Sequence, residues 1–313
     1  MLHTTVWFWV GFIGFVLAML ALDLGVFHRR EHEVRPVEAG IWTGVWVALA
    51  LLFALGLYLI GGHHVALTFL TGYVIEESLS ADNIFVMVLI FEYFRVPKNC
   101  QHRVLFYGIL GALVMRGLFI AAGAALVSNF HWVLYLFGAL LIVTGVRMAI
   151  KRDESFNGEQ NRTVRLIRRW IPISTEFKGK HFFTVEAGRR VATPLLLVLV
   201  LVEVTDLVFA IDSIPAIFGV TTDPFIVFTS NIFAVLGLRS LYFLLAAVVD
   251  RFHLLKYGLA VILTFVGAKM LLDRVVHIDI GLSLAVILSV LALSIVASMV
   301  VSNRAEGSSG PTS

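Results

Sequence analysis

The sequence predicts an all-α fold: a polytopic membrane protein with about nine transmembrane helices and two inverted three-helix repeats. Three observations carry this. Of the 313 residues, 59% are hydrophobic and 14% charged, against about 25% charged in a soluble domain, and mean hydropathy is +0.92. Apolar runs near the roughly 20 residues needed to cross a bilayer recur along the chain. Two stretches with matching charged anchors bracket the one long polar segment.

The spans are expected at about 5–27, 41–60, 65–94, 103–127, 131–150, 193–219, 225–249, 253–273 and 279–301, separated by Gly, Pro, His or charge clusters. The first run lacks a basic n-region and a small-residue cleavage site, so it is read as a retained span. With the N-terminus outside, nineteen of the 24 Lys and Arg fall on one side, and only Arg274 on the other. Arg116, Arg147, Arg239 and Lys269 lie within apolar runs. The positive-inside rule then makes the basic side cytoplasmic, with the N-terminus periplasmic and the C-terminus cytoplasmic. The net charge of +3 therefore reports orientation, not a nucleic-acid partner. A single cysteine, Cys100, allows neither an internal disulfide nor a thiolate metal cluster.

The expected units are two N-terminal helices in 1–64, a first three-helix repeat in 65–150, a basic cytoplasmic loop in 151–192, a second, inverted repeat in 193–273, and a last helix with a disordered tail in 274–313. The loop holds ten Lys or Arg, Lys151 through Arg190, against Asp153, Glu154, Glu159, Glu176 and Glu186. It reads as a solvated connector that also touches anionic lipid, with a regulatory loop as the sharper alternative. The tail after Glu306 is rich in Gly and Ser.

The repeat rests on four anchors in the same order. Glu76 precedes Asp82 by six residues and Asp206 precedes Asp212 by six, at an offset of 130. Arg116 matches Arg239, and Tyr135 to Gly145, Arg147 and Met148 match Tyr257 to Gly267, Lys269 and Met270. Three spans per copy is an odd number, so the second copy crosses in the opposite sense, the inverted-repeat architecture of transporters with a midplane site.

The chemistry resides in intramembrane carboxylates: Glu76, Glu77 and Asp82 in the third span, and Glu203, Asp206 and Asp212 in the sixth. Six ionised, unpaired acids would cost on the order of 15 to 20 kcal/mol, so they must be protonated, paired or bound to a cation. Arg116 and Arg239 can neutralise two, and the excess suits a divalent metal and exchangeable protons. Asn83, Asn231, Ser80, Ser213 and Thr205 add neutral oxygens. An all-oxygen donor set favours Mn(II), Ca(II) or Mg(II) over Zn(II) or copper. On a straight helix, positions six apart differ by about 240°, so these acids would share a face only if the helix is interrupted. Pro215 is expected to unwind the backbone beside Asp212, and a matching break in the third span is inferred from the repeat.

Other polar residues read as ordinary. Asp23 is expected to snorkel, and Glu92, Arg147 and Lys269 read as interface charges. His63, His64, His131 and His277, with Asp223 and Asp279, read as loop polarity, or more sharply as a pH-sensitive, metal-collecting surface. The 25 phenylalanines are expected to face lipid.

Glu76-Glu77-Ser78-Leu79-Ser80-Ala81-Asp82-Asn83, the run Glu203 to Ala216, and Asp223-Pro224 with Thr229-Ser230-Asn231 resemble the signatures of the TerC/Alx family of bacterial membrane proteins. The resemblance spans about residues 5 to 300. That family was named for tellurium resistance and falls within the LysE-type transporter superfamily, and its Alx-like members are manganese exporters linked to alkaline pH. The resemblance implies an inner-membrane protein whose functional acids are Glu76, Asp82, Glu203, Asp206 and Asp212. Glu77, Asn83, Arg116, Ser213, Asn231 and Arg239 stand around them as second shell or countercharge.

Three functions are weighed. The first is a secondary transporter exporting Mn(II) by proton antiport; no phosphate-binding G-x-x-x-x-G-K-[ST] loop occurs, so ATP is not the direct energy source. The second is an intramembrane aspartyl protease, disfavoured by six acids with symmetric arginines. The third is a membrane metal-delivery or stress-complex scaffold acting through the basic loop. Expected partners are Mn(II) and protons, membrane lipid, and a second copy or other membrane proteins; no resident cofactor, nucleic acid or enzymatic activity is expected.

Overall fold

The computed structural model describes residues 6–27, 35–150, 162–174, 176–186, 188–246, 254–273, 275 and 278–308. Arg29, Arg30, Arg251, Arg274, His277, the stretch 151–161 and the end of the tail lie outside the described residues, as do the side chains of Asp23 and Arg304. Among the described residues the chain forms α1 (Val6–Phe27), α2 (Pro36–Tyr93), α3 (Lys98–Asn129), α4 (Val133–Ile150), α5 (Arg162–Trp170), β1 (Phe183–Glu186), β2 (Arg189–Ala192), α6 (Pro194–Phe218), α7 (Pro224–Leu245), α8 (Leu255–Leu272) and α9 (Ile280–Ser308). Seven of these helices are long and apolar enough to cross a membrane. The fold is nearly all helical and polytopic, as expected.

Helix α2 accounts for two of the expected spans. Gly62 has φ 81° and ψ 179° inside it, a conformation open essentially to glycine alone. The chain reverses there: Phe53 and Phe69, which a straight helix would hold about 24 Å apart, have ring centroids 5.1 Å apart. The first limb, 36–61, and the second, 63–93, thus form a hairpin. Gly62→Ala is expected to cost about 1–3 kcal/mol, measured as a lower thermal midpoint in detergent. Gly56→Ala, whose added methyl meets nothing, should leave the midpoint unchanged or raise it.

The packed helix pairs follow an exchange. α2 packs on α7 and α3 on α6, while α4 packs on α8, α2 on α6 and α3 on α7. Swapping the second limb of α2 with α6, α3 with α7, and α4 with α8 returns the same set. The detail matches at the α4·α8 contact. A Cβ on Gly138 would meet the Gly267 carbonyl at 3.0 Å, and a Cβ on Gly145 would meet the Ala260 carbonyl at 2.7 Å. The repeat alignment carries Gly138 to Ala260 and Gly145 to Gly267, so each contact is the image of the other.

Three expectations need correction. Helix α6 runs through Pro215 to Phe218 without interruption, because neighbouring groups in a membrane bundle can re-satisfy what a proline frees. The second limb of α2 is likewise continuous past its acids. The phenylalanines do not all face lipid: Phe12, Phe69, Phe225 and Phe233 are buried and join Phe53 in an internal cluster across α1, α2 and α7. Beyond these, the basic loop carries secondary structure that the sequence reading did not specify, α5 and the antiparallel hairpin β1–β2.

Candidate functional site: a buried ion triad between the two halves

Arg116 of α3 is fully buried, at 0% exposure, with Glu76 at 1% and Asp206 at 3%. Its guanidinium forks onto Asp206, Nη2 donating to Oδ1 at 2.8 Å and Nε to Oδ2 at 3.1 Å. Nη1 donates to Glu76 Oε1. The two carboxylates occupy matching positions of the two repeats, so one arginine of the first half ties the halves together at equivalent points. With both acids ionised the triad keeps one net negative charge. Arg239, the other expected countercharge, is buried on α7.

The outer acids diverge from this centre. Gly72 lies against Ile217 while Glu76 shares Arg116 with Asp206, so the second limb of α2 and α6 run antiparallel. Asp82 and Asp212 each stand six residues beyond their triad partner, about 9 Å of helical rise, and therefore on opposite sides of it. Asp82 opens, with Glu77, Tyr73 and Lys256, onto a cavity of about 490 Å³ between the limbs of α2 and helices α7, α8 and α9. Asp212 instead accepts a hydrogen bond of 2.9 Å from Thr144 Oγ1 on α4, with the charge of Arg147 near enough to act on it. Glu203 sits where a Cβ of Gly111 would be, its carboxylate against the bare backbone of α3.

The five expected metal ligands are thus spread over three levels, and among the described residues no three Asp, Glu, His or Cys side chains gather into a metal-holding group. The cause is the unbroken helices: acids six apart point in different directions. Oxygen donors are nonetheless held ready. Glu76 Oε2, Glu77 Oε2, Ser80 Oγ, Asn83 Oδ1, Ser213 Oγ and both polar atoms of Asn231 are buried without a hydrogen-bond partner, each a costly state.

Sequence reading missed Thr144, Tyr73, Lys256 and Gly111 as parts of these surroundings. Thr144 had a signal, since it adjoins the repeat anchor Gly145. The metal-collecting surface is not supported at its acids: Asp223 Oδ1 accepts from Phe225 N at 3.0 Å and Asp279 Oδ2 from Gly281 N at 2.8 Å, so both cap helix starts. Lys269 donates to Ser283 Oγ of α9 at 2.9 Å.

A family model described as the integral membrane protein TerC family matches residues 61–306. The chain is 55% identical over 297 residues to an uncharacterized membrane protein of Myxococcus xanthus, covering 95% of this chain and 93% of the relative. It is 50% identical over 297 residues, 92% of each chain, to an Escherichia coli K12 protein provisionally named as the membrane-bound redox modulator Alx. An uncharacterized membrane protein of Rickettsia bellii is 38% identical over 295 residues, 94% of this chain and 98% of the relative. No solved structure matches the chain.

Proposed function

The chain belongs to the TerC family of integral membrane proteins, and on that footing we propose that it is an inner-membrane secondary transporter, not an enzyme, that exports a hard divalent cation, Mn(II) foremost, in exchange for protons. The observation that carries this reading is the buried Glu76–Arg116–Asp206 triad, which joins equivalent acids of two antiparallel halves and leaves negative charge in excess. Asp82 and Asp212 extend the carboxylates to either side of it. With the basic face cytoplasmic, the Asp82 cavity opens toward the cytoplasm and Asp212 lies toward the periplasm.

A cation taken up beside Asp82 competes with Arg116 for the carboxylates of Glu76 and Asp206. Occupancy thereby weakens the tie between the halves, so the cation interacts differently with the tied and released arrangements, as coupling requires. Glu203 and the unpartnered oxygens of Asn83, Ser213 and Asn231 supply further hard donors along the way. Carboxylates that release a metal in a low-dielectric surrounding take up protons, which gives the antiport its sense.

The test is metal flux in proteoliposomes, comparing Mn(II), Ca(II) and Mg(II) with and without a pH gradient. Saturable Mn(II) flux driven by the gradient is expected, falling to background in Asp82→Asn and in Asp212→Asn. Folded protein that moves none of the three ions would overturn the reading.

A second reading, a metal-delivery or stress-complex scaffold, is favoured by one observation: the described part of the segment between the halves carries α5 and the hairpin β1–β2. Replacing 151–192 by a flexible linker should leave flux intact in a transporter and abolish function in a scaffold. Any redox role suggested by the relatives' name does not run through a dithiol of this chain, whose one cysteine is buried.

A further inference from the structure

The module formed by α5 and the hairpin β1–β2 between the halves has two distinct sides. Its inner side is fastened to the bundle. Val164 is buried, and Ile167, Ile173, Phe177 and Phe182 pack on the core. Arg103 of α3 lies 5.2 Å over the Phe182 ring, Tyr107 meets that ring edge-on at 5.3 Å, and Thr193, the cap of α6, donates its hydroxyl to the His181 carbonyl at 2.7 Å. The segment is therefore held at the end of the bundle where α3 and α6 begin.

Its outer side combines exposed apolar and basic residues. On α5, Leu166 and Trp170 are 59% and 77% exposed and four residues apart, hence on one face, and Arg165 with Arg169 forms the adjoining stripe. On the hairpin, Phe183 and Val185 are 59% and 66% exposed and project from one face of β1. Arg190 is paired directly across from Val185. Water gives such a surface no reason to keep Trp170, Phe183 and Val185 uncovered. An interface of headgroups over hydrocarbon accommodates both kinds of side chain, the apolar ones below and the arginines at the phosphates.

We propose that this module is an interfacial anchor for anionic phospholipid, with Leu166, Trp170, Phe183 and Val185 seated in the leaflet from which α3 and α6 start, and Arg165, Arg169 and Arg190 on its phosphates. Charge selects the occupant: the exposed rim is net basic, its arginines outnumbering Glu176 and Glu186, and the membrane surface lies within a Debye length of it because β2 ends two residues before α6 begins. The anchor is independent of what the acids carry.

The test places a nitroxide at Val185→Cys, and separately at Leu166→Cys, in full-length Cys100→Ser protein. It is reconstituted in phosphatidylcholine vesicles alone or mixed two to one with phosphatidylglycerol. In the mixed vesicles both labels should be far more accessible to oxygen than to a water-soluble nickel complex. Substituting Arg169→Gln and Arg190→Gln should reduce the docked population, on the order of fivefold for each charge removed, whereas Arg→Lys at the same positions should keep it. Labels open to nickel in both vesicle types would overturn the anchor, and labels shielded from both reagents would overturn it in favour of a covering protein surface. Spectra showing the same label mobility in all variants verify that the module stays folded.

Discussion

Arg116→Leu is expected to lower the stability of the bundle by about 3–5 kcal/mol, because it leaves two buried carboxylates without the cation that faces them. A thermal midpoint in detergent, monitored by helical circular dichroism, measures it. Arg116→Lys should fall between, since an ammonium keeps the charge but cannot fork onto Asp206. The informative control removes all three charges: Glu76→Leu, Arg116→Leu and Asp206→Leu together should recover most of the lost stability, as buried ion pairs replaced by apolar residues often do, while flux stays absent. Wild-type stability in the single Arg116→Leu variant would show that the triad does not hold the halves together.

Gly267→Leu is expected to have a comparable effect by a different route. A Cβ there would stand 2.6 Å from the Gly138 carbonyl, and backbone cannot step aside as a side chain can. Helices α4 and α8 would have to separate along their whole contact, a cost above the usual 1–3 kcal/mol of overpacking. The same substitution at Gly56 or Gly44, where an added methyl meets nothing, should be tolerated. Size-exclusion profiles after mild heating separate the two outcomes, and a monodisperse Gly267→Leu protein with an unchanged midpoint would argue against close α4·α8 packing.

The spans and the four repeat anchors could be read from the sequence because lipid imposes a length on every crossing and charge within a crossing is rare enough to align by. Direction could not be read. In a soluble helix the polar face marks the outside, but leucine and phenylalanine satisfy lipid and protein neighbours equally well. Phe12 and Phe233, both buried in the aromatic cluster, therefore looked no different from lipid-facing residues. Pro215 was misjudged for a related reason, since a proline that would break an isolated helix is carried inside a bundle. The acids were legible as a set, but their distribution was not: only coordinates separate Glu76 and Asp206 at Arg116 from Asp212 at Thr144. The hairpin β1–β2 went unseen because two four-residue strands that end on Glu186 and begin on Arg189 and Arg190 do not stand out from a solvated charge run.

The exchange of packed pairs bears on what can fold alone. Within each half α3 on α4, α6 on α7 and α6 on α8 touch only slightly, while the extensive contacts among repeat helices, such as α4 on α8 and α3 on α6, run from one half to the other. Neither half has an interior of its own. Either half expressed alone would leave these faces uncovered, so the two halves are expected to become stable only together.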